Sequence, residues 1–128
     1  MSQSRQIVLV GHCGPDVYRL KTAVNRAVPE AEIVTVDDEQ SLDEYRTPDF
    51  LWLVNRILDG SFTTDSGIEL IRQIRSEPAP ADAPIAILIS DLPGAQEEAI
   101  AAGARPGFGK SQILEERTVE ILREAAKR

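Results

Sequence analysis

The sequence predicts an α/β fold, a parallel sheet of about five strands with helices on both faces. Three observations lead there. Short runs rich in aliphatic and β-branched residues recur along the chain: QIVLV, EIVTV, FLWLV and PIAILI. Most are apolar without alternation, the mark of strands buried on both faces. Between them lie segments whose apolar residues fall at helical spacing.

The first strand covers residues 6–10 and stops at Gly11-His12-Cys13-Gly14-Pro15, where two glycines and a proline impose a turn. Asp16 can cap, or sit in the first turn of, a helix running to about Ala27, with Val17, Leu20, Val24 and Ala27 on its apolar face and Pro29 ending it. Residues 32–36 form the second strand, and the acidic run Asp37-Asp38-Glu39 reads as a solvated loop. A short helix over 41–45 is expected, capped by Ser41. The central strand follows Pro48-Asp49, takes in Phe50 to Val54 with Trp52 in the core, and leaves the interior at Asn55. A long loop of turn-formers leads to an amphipathic helix over 68–76, with Ile68, Leu70, Ile71 and Ile74 inward and Arg72 and Arg75 outward. The stretch 77–84 holds three prolines and reads as a surface loop before a buried strand over 84–89 and Ser90-Asp91. A helix over about 94–102 stops at Gly103. Residues 106–109 allow only a short edge strand, because two glycines and a proline oppose it. The chain closes on a helix over 113–127 with Leu114, Val119, Ile121 and Leu122 as its core side.

At 128 residues the chain reads as a single domain over 1–128. A net charge of −7 argues against a nucleic-acid surface, which needs clustered Lys and Arg. No run is apolar for the length a membrane span requires, and no signal-peptide core is present. One cysteine excludes an internal disulfide framework, so a cytoplasmic protein is expected.

Three strings in order, Pro48-Asp49 before the third strand, GIELIRQIRSE at 67–77 and AGARPGFGKS at 102–111, make the chain resemble the receiver domain of bacterial response regulators (CheY-like). That resemblance covers nearly the whole chain and implies the flavodoxin-like, doubly wound three-layer sandwich with a five-stranded parallel sheet. It also implies chemistry. Receivers accept a phosphoryl group on an aspartate ending the third strand, hold Mg²⁺ on an acidic pair after the first, and use a Ser or Thr after the fourth and a lysine after the fifth. Here the acidic pair falls on Gly11 and His12, and the acceptor on Asn55, or Val54 if the strand starts one residue earlier. The hydroxyl falls on Ser90, or Ile89 by strict counting, and the lysine is retained as Lys110, with Ser111 where proline is usual. The aromatic switch position falls on Gly107, one residue before Phe108. The loop after Asn55 is longer than usual by about four residues, and counting back from Gly67 places the acceptor on Asp59 instead, at the cost of a strand running through Arg56 to Leu58.

The expected function is therefore a stand-alone pseudo-receiver acting in signal transduction as a phosphorylation-independent protein-interaction module, not an enzyme. No cofactor is expected, and no Mg²⁺ binding. No output domain follows Arg128, so output is expected through a protein partner on residues 94–127, the face receivers use for targets and for homodimers. Two alternatives stay open: a phospho-accepting regulator using Asp59, and a small flavodoxin-like ligand-binding protein with Asn55, Ser90 and Lys110 around its ligand. His12 and Cys13 have no further Cys or His to complete a metal set, and the glycines of GHCGPD and GFGK match no nucleotide-binding motif.

Overall fold

Five strands, β1 (Gln6–Val10), β2 (Ile33–Val36), β3 (Phe50–Asn55), β4 (Ile85–Ile89) and β5 (Arg105–Phe108), form one parallel sheet in the order β2-β1-β3-β4-β5. The computed structural model describes residues 4–75 and 83–127. The helices are α1 (Gly14–Ala27), α2 (Glu39–Leu42), α3 (Gly67–Arg75), α4 (Pro93–Ala101) and α5 (Glu116–Ala126), with 3-10 turns at Asp43–Tyr45 and Lys110–Gln112. This is the expected doubly wound, flavodoxin-like order.

Because successive strand residues point to opposite faces, the apolar runs divide into two cores. Ile7, Leu9, Leu51, Leu53, Ile87 and Ile89 pack under α1 and α5, against Leu20, Val24, Val119 and Leu122. Val8, Val10, Trp52, Val54 and Leu88 face α2, α3 and α4 through Leu42, Leu70, Ile71, Ala95 and Ala99. Trp52 is fully buried, and its indole N–H donates to the Tyr45 carbonyl at 2.8 Å.

Strand β5 is the weak edge anticipated from its composition. Its pairing to β4 shifts between Ile87 and Ile89, and a Cβ on Gly107 would come within 2.2 Å of the Leu88 carbonyl oxygen. Gln96 of α4 repairs the gap: its amide N–H donates to the carbonyls of Leu88 (2.9 Å) and Ser90 (3.1 Å), and its Oε1 accepts from Gly107 N at 3.2 Å.

Several expectations are corrected. The short helix starts earlier, at Glu39, and its cap is Asp38, whose Oδ1 accepts from Ser41 N at 2.7 Å. The acidic run is thus structured, with Glu39 accepting from Thr63 N at 3.1 Å. Leu114 lies before α5 rather than in its core side and is exposed. Arg75 is half-buried, donating to the Pro84 carbonyl at 3.0 Å, because α3 ends against the start of β4. Ser76 and most of the proline-rich stretch 77–84 lie outside the described residues.

Candidate functional site

The carboxyl ends of β1, β3 and β4 converge where the connections leave for opposite faces, the place at which doubly wound sheets build their sites. Asn55 ends β3 there, paired with Ile89 of β4 and only 6 % exposed. Its Nδ2 donates to the Gly11 carbonyl at 2.9 Å, and the same carbonyl accepts from Asp59 N at 3.0 Å. Gly11 adopts φ +71°, and a Cβ on it would lie 2.8 Å from Leu58 Cδ2. Position 11 is therefore a glycine by backbone requirement, and the long loop lays the buried Leu58 on it.

His12 turns inward. It is 4 % exposed, its Nε2 carries the proton and donates to the Leu53 carbonyl at 2.8 Å, and its Nδ1 is buried without a partner. Burial pushes its pKa down to about 4; the Leu53 hydrogen bond opposes that shift and the charge of Lys110 adds to it. The ring is neutral at physiological pH.

Lys110 starts the turn after β5, and its Nζ is paired with Asp16 Oδ2 at 3.0 Å. Arg19 completes the arrangement, 3.9 Å from Asp16 Oδ1 and donating to the Lys110 carbonyl at 2.8 Å. Burial raises the Asp16 pKa, but hydrogen bonds from Lys110 and Cys13 and the charge of Lys110 outweigh it and hold the carboxyl below its usual range. Cys13 itself is exposed. Asp91, in turn, accepts from Ser111 Oγ at 2.7 Å and Ser111 N at 3.2 Å, a backbone bond that proline at this position would forfeit.

Asn55, Ser90 and Lys110 line one crevice of about 240 Å³, together with Arg56, Ile57, Asp91 and Leu92. Asp59 is not among them. It is exposed and lines a separate cleft with His12, Cys13 and Asp37. Strand β3 stops at Asn55, since Arg56 turns away to accept Gly67 N on its carbonyl at 2.7 Å.

No protein-family model and no curated protein matches the chain. Solved structures do. A response regulator receiver domain from Rhodospirillum rubrum aligns over 93 % of this chain and 89 % of its own at 16 % identity, with a TM-score of 0.62. The signal receiver domain of a DNA-binding response regulator from Colwellia psychrerythraea aligns over 94 % and 98 % at 20 % identity and a TM-score of 0.66. The fold is the receiver fold. A Burkholderia pseudomallei response regulator, solved with a phosphorylated aspartic acid, calcium ion and citrate, shares it over 94 % of this chain and 72 % of its own, at 14 % identity and a TM-score of 0.54.

The residues that this chain sets in the receiver crevice do not fit a divalent cation. A hard ion needs several anionic or carbonyl oxygens. Gly11 offers no side chain, His12 offers a buried neutral ring, and Asn55 offers a neutral amide in place of a carboxylate. Among the described residues no cluster of three His, Cys, Asp or Glu side chains is placed to hold a metal. Sequence reading treated Asp16 only as a helix-start acid and did not single out Leu58 as part of the site. The spacing of Asp16 and Arg19 hinted at the first; the aliphatic pair Ile57-Leu58 in a polar loop hinted at the second.

Proposed function

We propose that the whole chain is one receiver-like domain that works in signal transduction as a phosphorylation-independent protein-interaction module, without enzymatic activity and without Mg²⁺. The observation that carries this reading is the internal pairing of Lys110. The cation that would neutralise a phosphoryl group is held by Asp16, while the Asn55 amide at the acceptor position is spent on Gly11. An amide is no nucleophile for an acyl phosphate, and among the described residues the one carboxylate lining that crevice, Asp91, accepts from Ser111. Its partner is a protein, engaged through residues 94–127, with homodimerisation through the same face as a second use. Among the described residues no helix is long and apolar enough to cross a membrane, and a cytoplasmic role is part of the proposal.

A small ligand-binding protein is the second reading, supported by Asn55, Ser90 and Lys110 sharing one crevice. Its volume is below the several hundred Å³ of ordinary cofactor sites, which favours the first reading.

The test is incubation with acetyl phosphate and Mg²⁺ followed by intact-mass measurement. No adduct is expected. A phosphate adduct that disappears in Asp59→Ala would overturn the proposal in favour of a shifted acceptor.

A further inference from the structure

Arg56 follows Asn55 directly, and its backbone is fixed by the Gly67 N–H. Its side chain is half-buried yet makes no hydrogen bond or ion pair among the described residues. Elsewhere Arg19, Arg26, Arg46 and Arg72 each hold a carboxylate of the chain. A guanidinium taken partly out of water without an acid is costly, and its planar fork matches a carboxylate. Arg56 lines two adjoining clefts. One is the crevice of about 240 Å³; the other, of about 600 Å³, runs along the start of α4 past Ile68, Pro93 and Gly94. Of the other charges there, Lys110 is paired with Asp16, Asp91 keeps its charge while accepting from Ser111, and Glu98 lines the wider cleft without pairing to Arg56. Arg56 is thus the cation of these two clefts that no carboxylate among the described residues holds.

Apolar surface frames that charge. Ile57 is 51 % exposed and Leu92 50 %, and both stand at the crevice. We propose that this crevice is a docking site for a partner protein's acidic side chain, with Arg56 as the anchor and Ile57 and Leu92 receiving an aliphatic neighbour of that acid. A volume of about 240 Å³ suits one side chain better than a nucleotide or flavin. Charge selects a carboxylate; the exposed aliphatics select a protein segment over a free anion.

The inference takes from the proposed function only that the chain binds a protein, and the two fail separately: a phosphate adduct refutes that reading, peptide titration this one. The full chain, ¹⁵N-labelled, is titrated with acetyl-Leu-Asp-Leu-amide, with its Asn counterpart, and with sodium acetate. The Asp peptide is expected to shift the Arg56 Nε, Ser90 and Leu92 resonances saturably. Binding should weaken about tenfold with the Asn peptide or in Arg56→Gln, the loss of one charge-assisted contact. Leu92→Ser should weaken the peptide and leave acetate unchanged. The proposal is overturned if no saturable shift appears at these residues, if Arg56→Gln binds as the parent does, or if acetate binds as tightly as the peptide.

Discussion

Buried beneath the turn after β1, His12 has one ring nitrogen on a carbonyl and the other facing no partner. Such a ring is tolerated only while neutral. Its pKa falls from 6.5 to about 4 on folding, so the unfolded chain takes up the proton first as pH drops. The stability that the neutral ring contributes is full above pH 6.5 and is lost as pH falls toward 4. By linkage the loss amounts to roughly 3 kcal/mol across that window. Denaturant unfolding at pH 7 and pH 4.5 should show it, and His12→Gln, which keeps a donor for Leu53 without a proton to gain, should flatten the difference. An equal pH dependence in the variant would assign it to other groups. The sequence announced that a non-acid occupies this position. It could not announce burial, because the direction of the side chain follows from the positive φ of Gly11, a property of the turn and not of the histidine.

At the scale of elements, the connection from Asn55 to Gly67 separates this chain from the ordinary receiver pattern. Its added length is visible in the sequence, but length alone left the acceptor ambiguous between Asn55 and Asp59. The loop closes on itself, with Leu58 N donating to the Asp65 carbonyl at 2.8 Å and Ser61 N to the Asp37 carbonyl at 2.8 Å, and Asn55 and Asp59 line different clefts. Gly60 at φ +130° lets the chain pass over Asp37, where a Cβ would come within 2.1 Å of its carbonyl oxygen. Leu58 at 6 % exposure is the anchor, seated on Gly11. Truncation to Leu58→Ala should cost about 2–3 kcal/mol. It should also raise amide exchange across residues 57–66 and leave α5 unchanged. Protection equal to the parent's would mean that the backbone bonds hold the loop without it. A comparable ambiguity misplaced the cap of α2, since Asp38 and Ser41 are both good caps and only the fold shows the first accepting from the second.

For the whole molecule, the alternation of strands and helices made a parallel sheet with helices on both faces readable, and the resemblance to receivers implied its doubly wound order. The contacts between distant segments were not readable. Asp16 and Lys110 lie in α1 and after β5, and no local pattern relates a first-turn acid to a lysine so far along the chain. Together with Arg19 on the Lys110 carbonyl, the pair fastens the β5–α5 connection to the face of α1 that α5 also covers. The Asp16 side chain is 13 % exposed and that of Lys110 39 %, so the pair is only partly shielded and should contribute about 1 kcal/mol to stability. Its larger effect should be on order. Asp16→Asn is expected to speed amide exchange over residues 109–115 severalfold while the sheet stays protected, since local opening follows the loss of few fastening contacts. Lys110→Met should do the same, and the double variant should be little worse than either single one, as befits two ends of one interaction. Additive effects, or a connection that stays protected in Asp16→Asn, would show that the pair does not hold this connection, and with it would go the ground for regarding Lys110 as already satisfied within the chain.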